Sequence, residues 1–193
     1  TPWTLPANLG IAVHPQFTYL QGEFTHAEDG RTENLIVVKE LLEAFTAKTG
    51  FAPAGELVEF KGETLAGATA RHPFLDRESK VILADFVTTE TGTGAVHIAP
   101  GHGADDYRAG QENDLGLLSP VDDAGNFTEE VGLDFLVGKH VFDSNGPIIK
   151  LLAEKGALIG KENYQHSYPH CWRSKTPIIF RSVPQFFIRI DQL

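Results

Sequence analysis

The sequence predicts an α+β fold, a barrel-like core of short strands, closed or nearly closed, decorated by a few helices. Three observations predict it. Several segments alternate apolar and polar residues between glycines, as half-buried strands do. Only a few stretches combine helical spacing with recognisable ends. The 193 residues include 19 Gly and 11 Pro and are 41% apolar and 22% charged, the composition of a loop-rich globular protein rather than a disordered or fibrous one. That length suits a single unit able to bury a core.

The elements follow in order. "LGIAVHPQFTYLQGEF" at 9–24 sets β-branched and aromatic residues around a His14-Pro15 turn signal, which reads as a hairpin of two short strands. "NLIVVKELLEAFTAKTG" at 34–50 starts as a strand, then places Val38, Leu41, Leu42 and Phe45 at helical spacing and stops at Gly50, a residue suited to a left-handed C-terminal cap. "GELVEFKGETLAG" and "SKVILADFVTTE" alternate as strands with one buried face, and "TGTGAVHIAP" is a further strand among glycines. "ADDYRAGQENDLG" has acids at its start and Gly116 at its end, the signature of a short helix. "DSNGPIIKLLAEKG" carries a capping cluster, Pro147 near the first turn, an apolar stripe of Ile148, Leu151 and Leu152, and Gly156 as a stop, which predicts another helix. The tail "TPIIFRSVPQFFIRI" is apolar and β-prone, with Pro184 marking an edge or a break. There is no internal repeat and no low-complexity tract.

Composition excludes several functions. A net charge of -10 opposes a broad basic surface for nucleic acid, since neutralising phosphates takes clustered Lys and Arg. The single cysteine, Cys171, rules out an internal disulfide and any zinc site built from two thiolates of this chain. No window approaches the roughly eighteen uninterrupted apolar residues of a membrane helix, and the start lacks the basic-then-apolar pattern of a signal peptide. A cytoplasmic protein without a membrane partner is expected. The sequence contains no Met, and a domain excised from a longer chain is the reading we favour.

Ionisable chemistry concentrates in "GTGAVHIAPGHGADDY" at 92–107. In a strand through this stretch, Val96 and Ile98 share one face; if they point into the core, His97 points outward or into a cleft. His97 then reads either as an ordinary hydrogen-bonded strand histidine or as a pocket residue, and His102, flanked by glycines, reads as an incidental loop histidine or as a second pocket group. Asp105 and Asp106 are favoured by a helix N-terminus. Adjacent helical residues point about 100° apart, so one acid caps while the other works. A carboxylate held there is expected to stay ionised and to bind a cation rather than donate a proton. A metal site from His97, His102 and an aspartate is the competing reading, though its spacing matches no established motif. The "GTG" lacks the Gly-Lys-Ser/Thr of a nucleotide loop. In "TPWTLPAN" at 1–8, Thr1, Thr4 and Asn8 offer uncharged hydrogen-bonding groups on a backbone limited by two prolines, and such residues also serve simply as turn formers.

Taken together, "TPWTLPAN", "GTGAVHIAPGHGADDY" and "HSYPHCWRSKTPIIFR" at 166–181 resemble class I aminoacyl-tRNA synthetases of the isoleucine, valine and leucine group, with the last segment and "VTTETGTGAVH" most similar to isoleucyl-tRNA synthetases. The resemblance spans essentially the whole chain and corresponds to the editing insertion, not to the Rossmann catalytic domain. Neither the HIGH-like nor the KMSKS-like adenylation signature is present, so ATP and magnesium belong to a catalytic domain outside this sequence, and editing itself needs no cofactor.

The resemblance implies a β-barrel editing domain over 1–165, and a strand segment over 166–193 that returns toward the catalytic domain. The implied activity is hydrolysis of valine wrongly attached to tRNA for isoleucine, or of valyl-adenylate. The implied partners are the 3′ end of the mischarged tRNA and the rest of the synthetase chain, with the domain itself monomeric. On this resemblance Asp106 is the editing aspartate that holds the substrate's α-ammonium, His97 is the pocket histidine near the substrate side chain, and Thr4 shares the catalytic group with them. Asp105 is then the capping acid. Thr1, Trp3, Asn8, Thr93, Gly94 and His102 make up the substrate-binding set. Family members with Cys-Trp-Arg-Cys near this position bind structural zinc. Here Ser174 replaces the second cysteine, which argues against zinc and leaves His166 and His170 as strand or linker residues. Three functions remain in play: an editing hydrolase, a metal-dependent hydrolase, and a non-catalytic module binding tRNA or an aminoacyl group.

Overall fold

The computed structural model describes residues 1–162 and 169–192. Its strands are β1 (Gly10–Val13), β2 (Thr18–His26), β3 (Thr32–Val38), β4 (Phe51–Pro53), β5 (Val58–Lys61), β6 (Thr69–Arg71), β7 (Glu78–Leu83) and β8 (Ala95–Ile98). Its α-helices are α1 (Leu42–Thr49), α2 (Ala104–Glu112) and α3 (Asn145–Glu154), and a 3-10 helix spans Pro2–Ala7. The α+β class is the expected one. The strands divide into two four-stranded sheets, one in the order β6-β7-β1-β8 and the other β3-β2-β4 with β5 also on β2. Among the described residues they do not close into one barrel.

The hairpin expected at 9–24 does not form, although both of its strands do. β1 pairs in parallel with β7 and antiparallel with β8, whereas β2 pairs with β3, β4 and β5. Both edges of β1 are therefore occupied by strands from far along the chain, and the His14-Pro15 turn carries the backbone from one sheet to the other. Such long-range pairing outcompetes a local hairpin because β1, buried along nearly its whole length, satisfies two rows of backbone groups at once.

Two helices end beside the glycines expected to stop them, α1 at Gly50 and α3 just before Gly156, whereas α2, expected to close at Gly116, stops at Glu112 with Asn113 as its C-cap. Gly50 closes α1 in a left-handed conformation, φ 76°, its N–H on the Thr46 carbonyl. In α3, Ile148 and Leu152 turn into the largest apolar cluster, with Trp3, Val121, Phe127, Val131, Leu136 and Val141. A separate cluster of Ala12, Ile82, Val87, Ile98 and Ala109 fastens α2 to the first sheet. Trp3 thereby ties the 3-10 helix at the start of the chain to α3, and its backbone N–H donates to Asn145 Oδ1 at 3.0 Å.

The strand expected over 166–193 is corrected in part. His166 lies outside the described residues. From Pro169 on, the described chain carries only an isolated antiparallel bridge, His170 with Pro177, and a 3-10 turn at Ile190–Gln192. A strand needs a partner edge, and the β-prone residues find none among the described residues: Phe186, Phe187, Ile188 and Ile190 are exposed.

Candidate functional site

The 3-10 helix at the start of the chain is held in place by its own carbonyls. His72 Nε2 donates to Leu5 O at 3.0 Å, and an Arg77 guanidinium N–H donates to Pro6 O. His72 Nδ1 accepts from the Phe74 and Leu75 amides, which fixes the proton on Nε2. Burial lowers its pKa from the ordinary histidine value. The segment is thus a rigid ledge beside β1 and β8, and it projects Thr4 and Asn8 toward His97.

His97 lies on β8 opposite Ile11 of β1. Its Nε2 is 3.0 Å from Thr4 Oγ1 and its Nδ1 is 2.6 Å from Asn8 Nδ2. Thr4 Oγ1 also donates to Thr1 O at 2.9 Å, and Asn8 Nδ2 also donates to Gly10 O at 2.9 Å. Asn8 Oδ1 accepts from Ser79 Oγ. Directions follow from what each atom can do. The Asn8 amide nitrogen can only donate, so His97 Nδ1 accepts and the ring proton sits on Nε2. Thr4 has given its proton to Thr1 O and therefore accepts from that Nε2–H. Ser79, Asn8, His97, Thr4 and Thr1 form one relay with every donor pointing the same way. Burial, reinforced by the N-terminal ammonium, His72 and His102, pushes the His97 ring down to about 4. The imidazole is neutral near pH 7, and with both nitrogens engaged it is a fixed wall rather than a free base.

Asp106 stands on the first turn of α2. Its Oδ2 accepts from the Ala99 N–H at 2.8 Å, two residues beyond His97. The division of labour between the two acids differs from the expected one: Asp105 is exposed and sits 3.4 Å from Arg108, while Asp106 makes the inward contact at the helix start. The N-cap residue is Gly103, where an added Cβ would lie 3.0 Å from Asp106 Cγ. The helix N-terminus is not the only influence on the Asp106 carboxylate. Burial raises the Asp106 pKa from the ordinary carboxylate value and the nearby Asp105 adds to that, against the lowering effect of the Ala99 and Asp106 N–H groups.

His102 packs edge-on against Trp3, ring centroids 5.0 Å apart, and its Nδ1 donates to Phe180 O at 3.1 Å. Its Nε2 and the Trp3 indole N–H are both buried without a hydrogen-bond partner among the described residues. A cavity of about 420 Å³ opens beside this turn, lined by Pro100, Gly101, Gly103, Tyr107, Phe180 and Arg181.

The other two positions of the sequence-derived site lie apart from this relay. Gly94 is buried with φ 78°, its carbonyl accepts from Tyr19 OH at 2.6 Å, and a Cβ there would lie 2.5 Å from Val38 Cβ. Thr93 lines a separate cavity of about 330 Å³ with Phe45, Lys48, Thr49 and residues 157–162. The metal reading fares worse. No group of three His, Cys, Asp or Glu side chains converges to hold a metal among the described residues, because the His97 nitrogens are taken by Thr4 and Asn8 and His102 is turned to Phe180. Sequence reasoning missed Ser79, His72, Arg77 and Asn145, whose roles depend on which strand lies beside which.

The family profile described as "Leucyl-tRNA synthetase, editing domain" matches residues 27–133, more than half of the chain. The chain belongs to this family. The editing domain is 51% identical over 192 residues to an isoleucine–tRNA ligase of Persephonella marina, covering 99% of this chain and 19% of that protein. It is 52% identical to that of a Sulfurihydrogenibium species, covering 99% and 20%. The chain therefore spans about a fifth of the length of the curated relatives it matches. Among solved structures, the P. knowlesi cytosolic leucyl-tRNA synthetase editing domain superposes with a TM-score of 0.61 at 10% identity, over 81% of this chain and 79% of that one. At that identity the likeness speaks for the fold alone.

Proposed function

We propose that the editing domain hydrolyses the ester joining valine to the 3′ end of tRNA(Ile), with Asp106 holding the α-ammonium and the Thr4–His97–Asn8 relay walling the side-chain pocket. The observation that carries the reading is the relay itself: three polar residues from two distant segments are locked beside the turn that bears Asp106. A polar ligand would also satisfy Trp3 Nε1 and His102 Nε2, two buried groups otherwise left unpaired.

The chemistry follows from what the side chains have left to give. Thr4 has spent its proton on Thr1 O and His97 has no free nitrogen, so neither is an activated nucleophile. Cys171 lies on the far C-terminal segment. Hydrolysis is then the attack of a water held against the ester by the pocket and by the substrate's own ribose hydroxyl, an effect of positioning rather than of covalent catalysis. No cofactor is required, and ATP and magnesium serve the ligase chemistry outside this chain. Specificity is a matter of size. A missing methylene costs a binding pocket only about 1–3 kcal/mol, a magnitude taken from isoleucyl-tRNA synthetases themselves rather than from this chain, so a second pocket too small for isoleucine sorts the two where the first does not. His97, fixed at both nitrogens, is the rigid wall such a sieve needs. Valyl-adenylate, which carries the same amino acid, is a second substrate of the same pocket.

The remaining parts of the proposal are a monomeric, cytoplasmic domain and a C-terminal segment that meets the rest of the synthetase. Exposure of Phe186, Phe187 and Ile188 supports that last point, because such a run of apolar surface ordinarily marks a contact.

The test is deacylation of valyl-tRNA(Ile) and isoleucyl-tRNA(Ile) by the 193-residue chain and by its Asp106→Asn variant. The valyl ester is expected to be cleaved, the isoleucyl ester spared, and the variant inactive. Full activity of Asp106→Asn would remove that carboxylate from the mechanism, and binding of valyl-adenosine analogues with no hydrolysis would make this a binding module.

A further inference from the structure

We propose that Ser79 is a positioning residue that selects the tautomer of His97 by acting through the Asn8 amide. The functional consequence rests on the pocket reading given above, whereas the tautomer does not.

Ser79 sits near the start of β7, 2% exposed, in a stretch whose sequence shows nothing but a strand. Parallel pairing of β7 with β1, Gly10 opposite Lys80, brings its hydroxyl to the Asn8 side chain. A hydroxyl beside an amide can face either end. Here it faces Oδ1, and the amide nitrogen spends its two hydrogens on Gly10 O and His97 Nδ1. Ser79 and Gly10 therefore hold opposite ends of one planar group. The hydroxyl donates to the oxygen, and the carbonyl accepts from the nitrogen.

Turning the amide over would set Asn8 Oδ1 against Gly10 O and would offer an acceptor to His97 Nδ1, which would then need the proton. Nε2 would lose it, and Thr4 would have to break its bond to Thr1 O to donate in turn. The orientation of one amide thus decides the proton position on the ring and the direction of the whole relay. With the Ser79 hydroxyl removed, the amide oxygen is buried without a donor and one of the two holds on that orientation is gone.

The experiment is a long-range ¹H–¹⁵N correlation spectrum of the histidine rings in the 193-residue chain near pH 7.5, which reads the tautomer directly. The native protein is expected to show His97 as the Nε2–H form. Ser79→Ala is expected to give a measurable Nδ1–H population and a several-fold lower kcat for valyl-tRNA(Ile), with Ser79→Thr restoring both and its isostere Ser79→Val failing to. Asn8→Asp, which supplies an acceptor in place of the amide nitrogen, is expected to reverse the tautomer. An Nδ1–H form in the native protein overturns the proposal without any variant. An unchanged tautomer in folded Ser79→Ala or Ser79→Val overturns it as well. A native chain that shows the expected tautomer but leaves valyl-tRNA(Ile) intact would sink the pocket reading and leave the assignment of Ser79 standing.

Discussion

Acid should loosen this domain through His97 before it does so through the surface carboxylates. Protonating the ring would place an Nδ1–H against the hydrogens of Asn8 Nδ2, two donors facing each other across 2.6 Å, and would put a charge into a buried site. The ring is lowered from 6.5 to about 4, so between those values the unfolded chain binds a proton that the folded chain does not. Stability from this group is complete above 6.5 and is lost as the pH falls toward about 4. The whole gap is worth roughly 3 kcal/mol. Urea unfolding of the native chain and of His97→Gln at about pH 7.5 and about pH 4.5 isolates it, since His72 and His102 titrate in both proteins. The native chain should lose about 2 to 3 kcal/mol more than the variant over that interval. Profiles that run parallel to within about 0.5 kcal/mol would show that His97 is not held neutral by its partners, and the wall assigned to it would lose its rigidity.

Three further outcomes are expected. Asp106→Ala should cost about 1–3 kcal/mol in urea unfolding, because it strands the N–H of Ala99, a residue only 1% exposed, whereas Asp106→Asn should keep most of that stability and Asp105→Ala should change it by less than about 0.5 kcal/mol. Gly94→Ala should destabilise by at least about 2 kcal/mol, since it combines a positive φ with a Cβ 2.5 Å from Val38 Cβ; a midpoint unchanged from the native protein would contradict the packing described. Deacylation should survive exhaustive chelation, and activity lost to a chelator and restored by zinc would return the metal reading to the front.

Legibility tracked how local each determinant is. α3 was readable because its cap cluster, Pro147, apolar stripe and Gly156 all lie within one stretch, and α1 because Gly50 marks its end. β4 and β6 were not, being three residues each with no alternation to count, and the supposed hairpin at 9–24 failed because the partners of β1 come from β7 and β8. In the site, resemblance pointed to Thr4, Asn8, His97 and Asp106. Ser79, His72 and Arg77 stayed hidden, since a serine in a strand or a charged turn shows nothing until register places it against the octapeptide. The two aspartates illustrate a finer limit: helical geometry says that they diverge, but only the position of Ala99 decides which one turns inward.

Thr4 and His97 are 93 residues apart in the chain. On the ribosome, the octapeptide emerges long before the strand that carries His97, and closing so large a loop comes late in folding. On the function proposed above, hydrolytic competence would therefore arise only once the β6-β7-β1-β8 sheet is complete, so a nascent or partly unfolded domain would not strip amino acids from tRNA indiscriminately.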